Sequence, residues 1–246
     1  MSTRMGRMNN GNAPSTSHRR NESSPYAPEL GDVPAGTRTG DDHGDTVNRT
    51  GTTTVGITTD DGVVVATDMR ASLGGRFVSN KDVQKVEQIH PTAAVTLVGS
   101  VGGAQSFIRT LRSEVNLYES RRGETMPIDA VATLAGNFAR GGPFRAIHPI
   151  LGGVDEAGSH VYSIDPAGGV MADDYTVTGS GMQLAYGVLE NEYEDDLTLP
   201  DARSAAVRAV KSAVERDTGS GNGVFLAEIT GGGVDIQGHE SFDALL

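Results

Sequence analysis

The sequence predicts an α+β protein, a four-layer αββα sandwich in which two antiparallel sheets lie between pairs of helices. Two observations lead there. Strand-like runs and helix-like runs come in separate blocks, in the order strands, two helices, strands, two helices, strands, which indicates segregated layers rather than alternating βαβ units. Short turn signals join neighbouring strands, so they pair as hairpins and not through crossovers.

The elements follow in chain order. Thr53–Thr59 is β-branched, Asp60-Asp61-Gly62 is a turn signal, and Val63–Met69 is a second strand. Lys85–Ile89 and Ala93–Gly99 repeat the arrangement around His90-Pro91. Ala104, Ile108, Leu111, Val115 and Tyr118 form one stripe at helical spacing. Beyond Gly123, Pro127 suits a first helical turn, and Val131, Leu134, Ala135 and Phe138 make the stripe of a second helix. Strands return at Ile150–Val154, His160–Ile164, Gly169–Ala172 and Thr176–Thr178. A third helix carries Met182, Ala185, Tyr186, Leu189 and Tyr193, and a fourth starts near Pro200-Asp201 and carries Val207, Val210 and Val214. A hairpin, Val224–Ile229 with Gly233–Ile236, closes the chain.

The first 51 residues are different material. Only 10 of them are Ala, Val, Ile, Leu, Met, Phe, Trp or Tyr, too few to offset the entropy of ordering, so residues 1–51 are expected to be a disordered arm and 52–246 a single domain. Two Asn-x-Ser/Thr triplets, Asn21–Ser23 and Asn48–Thr50, fall in this arm, but no apolar secretory segment accompanies them.

Composition narrows the function. The 246 residues contain no cysteine, hence no disulfide, thiolate metal site or cysteine nucleophile. Lys and Arg number 20 against 32 Asp and Glu, a net charge of −12. Six Arg and six acidic residues lie in 1–51, which leaves 14 against 26 in the remainder. That sign opposes binding to nucleic acid or anionic membranes. It fits a protein kept soluble in high salt, where self-repulsion is screened, and also an ordinary acidic cytoplasmic protein. No apolar stretch is long enough to span a membrane. None of His43, His90, His148, His160 and His239 forms a metal-spaced pair, and no Walker loop or G-x-S-x-G is present, so neither metal nor cofactor is expected.

The stretch that stands out is Thr50-Gly51-Thr52-Thr53-Thr54-Val55-Gly56-Ile57, where the arm meets the first strand. With it go ATDMR around Asp68, QKVEQI around Lys85, LVGSVGGAQ around Gly99, TGSG around Ser180, RDTGSG with Asp217 and Ser220, MPIDAVATL and YGVLE. On these motifs the chain, from Thr50 onward, resembles the β-type subunits of the proteasome core particle, most closely the archaeal ones. These are threonine peptidases of the N-terminal-nucleophile hydrolase family. The resemblance implies autocatalytic cleavage at Gly51–Thr52 and Thr52 as nucleophile, with Asp68 and Lys85 as partners. It implies Gly99 as the oxyanion donor, and Ser180, Asp217 and Ser220 around the threonine amine. The loop before Lys85 is one residue longer than in some relatives. The resemblance also places Ala71, Val83, Leu97 and Val101 in the primary substrate pocket, with Ser72 bonding the peptide backbone. Such a pocket favours large hydrophobic residues, a chymotrypsin-like preference.

The chemistry is coherent. A threonine hydroxyl is a weak nucleophile that needs an adjacent base. A free α-amine, with a reference pKa of ~7.7–8.0, can serve, whereas an amide nitrogen cannot. Loss of residues 1–51 is therefore expected to be the activation step. A lysine beside the hydroxyl favours its alkoxide-like form, and an aspartate keeps that lysine charged and oriented. Lys85 is one of only three lysines in the chain.

By the same resemblance the subunit joins a seven-membered ring of β subunits, stacked with rings of α-type subunits. A ring-shaped ATPase feeds unfolded polypeptides to the barrel. Two alternatives stay open at this point: a bacterial-type two-component ATP-dependent peptidase subunit, and a non-catalytic ring subunit of the same fold.

Overall fold

In the computed structural model of the chain the described residues are 51–141, 144 and 146–246. The expected disorder of residues 1–50, the two Asn-x-Ser/Thr triplets and His43 fall outside them.

One sheet is built from β1 (Thr53–Thr59), β2 (Gly62–Asp68), β10 (Tyr175–Gly179), β11 (Val224–Thr230) and β12 (Gly233–His239), in the spatial order β10-β1-β2-β11-β12. The other contains β5 (Val86–His90), β6 (Ala93–Thr96), β7 (Ile150–Asp155), β8 (Gly158–Ile164) and β9 (Val170–Ala172), in sequence order. All the strand pairings in both are antiparallel. Helices α1 (Val101–Arg122) and α2 (Ile128–Ala139) cover the second sheet, and α3 (Met182–Glu192) and α4 (Leu199–Val214) the first. The expected αββα sandwich is the architecture found. Among the described residues no helix is long and apolar enough to cross a membrane.

Strand alternation sorts the side chains into three apolar layers. Along β2, Val64 and Ala66 pack beneath α3 and α4, whereas Val63 and Val65 enter the layer between the sheets. Along β7, Ile150 joins the central layer and Leu151 the layer under α1 and α2. An unbroken apolar run such as VVVA is what a strand buried on both faces requires. The sheets approach so closely that a β-carbon on Gly152 would lie 2.9 Å from Val65 Cγ2 and 3.0 Å from Val63 Cγ1. Helix α4 sits close by presenting Ala202, Ala205, Ala206, Ala209 and Ala213 to its sheet. It begins at a Thr198 cap, whose hydroxyl accepts the Asp201 N–H at 3.3 Å.

Three expectations are adjusted. The fourth strand of the sequence reading stops at Thr96, and Gly99 lies beyond it in an isolated bridge to Ile147. Lys85 precedes β5 instead of starting it. A separate two-stranded hairpin, β3 (Ala71–Leu73) with β4 (Phe77–Asn80), stands between β2 and β5 where no strand was expected. Its strands are three and four residues long and Phe77 is 65% exposed, so no alternating apolar run marks it.

Replacing Gly152 by alanine tests the sheet spacing. The added methyl should cost about 1–3 kcal/mol through overpacking, measured as a lower denaturant midpoint with unchanged secondary structure.

Candidate active site

The registers of three strands bring the expected residues to one end of the sandwich. Thr53 lies opposite Gly179 across the β1–β10 pair, which sets Thr52 beside Ser180. Thr54 lies opposite Thr67 across β1–β2, which sets Asp68 level with Thr53 and next to Thr52. Asp68 in turn lies opposite Val224, the first residue after the loop that carries Asp217 and Ser220. Lys85 enters from the other sheet, its carbonyl accepting the Leu97 N–H at 2.7 Å.

Thr52, Asp68 and Lys85 are in direct contact and nearly solvent-free, at 1%, 0% and 5% exposure. Lys85 Nζ donates to Thr52 Oγ1 at 2.8 Å and to Asp68 Oδ1 at 2.7 Å. The Thr52 hydroxyl donates to the same Asp68 Oδ1 at 2.8 Å. That oxygen also accepts the Thr53 N–H at 3.0 Å, while Oδ2 accepts the N–H groups of Arg70 at 3.0 Å and Gly221 at 2.8 Å. Burial lowers the pKa of the Lys85 ammonium below the ordinary lysine value. The charge and hydrogen bond of Asp68 and the charge of Asp217 oppose this, and the charge of Arg70 adds to it.

A second network surrounds the Thr52 nitrogen. That N–H donates to Ser180 Oγ at 3.1 Å. Ser180 Oγ and Ser220 Oγ both donate to Asp217 Oδ2 at 2.6 Å, and Ser220 Oγ lies 2.7 Å from Thr53 Oγ1. Asp217 is not the last residue of α4, which ends at Val214. It stands in the following loop, where its Oδ1 also accepts the Gly219 N–H at 3.1 Å. Its carboxylate is a hub for two serines.

The residue before Thr52 is tightly seated. The Gly51 N–H donates to Ser72 Oγ at 3.2 Å, and a β-carbon on Gly51 would fall 2.4 Å from the Gly219 Cα. No side chain fits there without moving backbone. Gly99 is fixed by a different constraint: its φ is +99°, and a β-carbon would stand 1.8 Å from the Ala146 carbonyl oxygen.

Two cavities flank this centre and share Gly99 as a wall. The one on the Lys85 side, about 280 Å³, is lined by Ala71, Val83, Leu97 and Val101, the four that the resemblance assigns to the primary pocket, with Ala104 and Ile108 of α1. Ser72 is not in its lining. The sequence did not disclose its polar outer part, where Gln105 and Arg109 join a Glu87–Arg112 ion pair at 3.5 Å. The other cavity, about 560 Å³, touches Gly51, Ser180 and Asp217.

Arg70 was also missed. Its Nε donates to Asn222 Oδ1 at 3.0 Å and its Nη1 to the Thr218 carbonyl at 3.1 Å. Its guanidinium lies over Gly221 so closely that a β-carbon there would be 2.2 Å from Nη2. Arg70 thereby clasps the loop that carries Asp217 and Ser220, and Asn222 completes the turn in the left-handed region at φ 70°. The signal was available in ATDMR, two residues from Asp68, but nothing in the sequence says which loop an arginine will hold.

The sandwich, with a threonine at the tip of β1 held between a lysine, an aspartate and a serine-bound nitrogen, has the N-terminal-nucleophile hydrolase fold. A family model described as "Proteasome subunit" matches residues 48–229. "Proteasome subunit beta 2" of Haloterrigena turkmenica is 82% identical over 223 residues, 91% of this chain and 94% of its own length. "Proteasome subunit beta" of Natrialba magadii is 74% identical over 222 residues (90% and 91%), and that of Natronomonas pharaonis 71% over 223 residues (91% and 93%). The chain belongs to the proteasome subunit family and is an archaeal β-type subunit of the core particle.

Replacing Arg70 by glutamine should unclasp the loop, removing the charged donor from the half-buried Asn222 amide oxygen and from the Thr218 carbonyl. The expected result is a loss of about 1–3 kcal/mol and faster amide hydrogen exchange at Gly219, Ser220 and Gly221 than elsewhere in the domain.

Proposed function

We propose that this chain is the precursor of a threonine endopeptidase, activated when its own Thr52 cleaves the Gly51–Thr52 bond. The observation that carries the reading is the position of Thr52 Oγ1, within hydrogen-bond distance of both Lys85 Nζ and Asp68 Oδ1, while its own nitrogen is still tied up as an amide on Ser180.

Cleavage replaces that amide by an α-amine in the Ser180–Asp217–Ser220 network. The amine takes the proton from the Thr52 hydroxyl, and Oγ attacks the substrate carbonyl. The Lys85 ammonium, kept charged and aimed by Asp68, stabilises the negative charge gathering on Oγ. The Gly99 backbone N–H receives the carbonyl oxygen as it becomes an oxyanion. The amine then returns the proton to the departing amino group, leaving an ester on Thr52. A water molecule, deprotonated by the same amine, hydrolyses this ester and restores the hydroxyl.

The apolar walls Ala71, Val83, Leu97 and Val101 support cleavage after large hydrophobic residues, a chymotrypsin-like activity. Ser72, which bonds the backbone of Gly51 in the intact chain, is positioned to do the same for substrate backbone after release. Family membership supports seven-membered β rings enclosed by α-type rings, with a ring-shaped ATPase delivering unfolded polypeptides in the cytoplasm. The bacterial-type peptidase reading yields to the β-subunit relatives, whose likeness runs through nine-tenths of the chain. An inert ring subunit of the same fold gives no role to the buried Lys85–Asp68 pair or to the glycine seat before Thr52.

Two variants and one titration test this. Thr52→Ala should fold, keep residues 1–51 by intact-mass measurement and hydrolyse no peptide. Arm removal or wild-type turnover in that variant would reject the reading. Lys85→Ala should lose about 10³-fold or more in kcat. In the mature particle, activity should rise with pH through ~7–8 as the α-amine loses its proton. It should fall again at alkaline pH below the ordinary lysine range, because Lys85 must stay protonated and its burial makes that proton easier to lose. A flat profile across both limbs counts against the assigned roles.

A further inference from the structure

The reaction leaves one buried hydroxyl of the site without a task. Thr53, the first residue of β1, is 0% exposed. Its N–H donates to Asp68 Oδ1 at 3.0 Å, and its Oγ1 lies 2.7 Å from Ser220 Oγ. The residue therefore touches both halves of the site, the Lys85–Asp68 pair through its backbone and the serine network through its side chain. Gly181 makes room for that hydroxyl, because a β-carbon there would collide with Thr53 Oγ1.

Counting protons fixes the direction of each bond, since a hydroxyl has one hydrogen to give. Ser220 commits its own to Asp217 Oδ2 at 2.6 Å, so its oxygen accepts from Thr53, and Thr53 is the donor across 2.7 Å. Ser180 commits its hydrogen to the same Oδ2 at 2.6 Å, the Thr52 carbonyl at 3.3 Å being its longer contact, and it accepts the Thr52 N–H at 3.1 Å. Hydrogen bonds toward Asp217 thus run from Thr53 through Ser220 on one side and from the Thr52 nitrogen through Ser180 on the other. Bonds in such a chain polarise one another. Donation by Thr53 makes Ser220 a stronger donor and draws negative charge off the Asp217 carboxylate. Negative charge beside an amine favours its protonated form, which is useless as a base. The other charges around that nitrogen, on Lys85, Asp68 and Arg70, are held by bonds in which the Thr53 hydroxyl takes no part.

We propose that Thr53 is a positioning residue, whose hydroxyl acts through Ser220 to orient the Asp217 carboxylate beside the Thr52 nitrogen and to draw charge from it, so that more of the released amine is free to act as base. The proposal rests on the threonine-endopeptidase reading and adds a residue that never touches substrate. In the sequence Thr53 reads only as the start of a β-branched run.

The test compares assembled wild-type particle with Thr53→Val, which keeps the shape and the N–H but loses the hydroxyl, and with Thr53→Ser, which keeps the hydroxyl. Arm removal is followed by intact mass, and kcat and KM are measured on one peptide across pH. Thr53→Val should lose at least about tenfold in kcat with KM within about twofold of wild type. The rising limb of its pH profile should move to higher pH by about 0.3 or more. Thr53→Ser should stay within about threefold of wild-type kcat, with that limb in place. In a Ser220→Ala background, Thr53→Val should cost less than about twofold more, because the relay is already gone. Three results overturn the proposal while leaving the peptidase reading in place: wild-type kcat with an unmoved limb in Thr53→Val, a loss in Thr53→Ser as large as in Thr53→Val, or an undiminished loss in the Ser220→Ala background. Wild-type particle that hydrolyses no peptide removes the peptidase reading, and the positioning role with it. Should Thr53→Val fail to assemble, Thr53→Ala carries the same comparisons. Should a variant assemble but keep its arm, the rate of arm removal replaces kcat with the same thresholds.

Discussion

A single buried carboxylate organises the end of the sandwich where the candidate site lies. Asp68 accepts five hydrogen bonds, three on Oδ1 and two on Oδ2, from five different residues. They belong to the start of β1, the segment after β2, the segment before β5 and the loop before β11. An ion pair in so dry a place is expensive in desolvation, and the attraction between the partners compensates only when the remaining lone pairs are also filled. Asp68 fills them with backbone N–H groups, which cannot swing away. The position of the Lys85 ammonium is therefore set by main chain from three other parts of the molecule.

The rest of the fold serves that convergence. Thr52 is the residue immediately before a strand pinned on both sides, by β2 and by β10, so its hydroxyl inherits the rigidity of a sheet interior. The segment leading into the other sheet supplies the lysine, so the spacing between sheets bears on the Lys85–Thr52 distance. Gly56 and Gly152, where a methyl would strike the facing strands, keep that spacing short. Arg70 performs the corresponding task for the loop with Asp217 and Ser220, and Asp217 in turn receives the Ser180 hydroxyl that bonds the Thr52 nitrogen.

Much of this was legible in the sequence, for reasons that can be named. Buried strands such as VVVATD and stripes such as Ala104–Ile108–Leu111–Val115 carry their periodicity openly because burial demands it. The candidate site residues were recognisable because they sit in short motifs with unusual composition, and the structure brings Thr52, Asp68, Lys85, Ser180, Asp217 and Ser220 into one bonded cluster. What stayed hidden depends on distant partners. The β3–β4 hairpin is too short and too exposed to show alternation. Arg70 looks like any surface arginine until its loop is known. The polar lining of the Lys85-side cavity, Gln105, Arg109 and the Glu87–Arg112 pair, gains meaning only when α1 is placed beside β5.

The seat of Gly51 against Gly219 is contact between two backbones, and backbone contact cannot discriminate by chemistry. It admits whatever polypeptide precedes it on the sole condition that the last residue lacks a Cβ atom. In the proposed precursor, silence lies in the Thr52 nitrogen being an amide, and the seat adds only a demand for room at the residue before it.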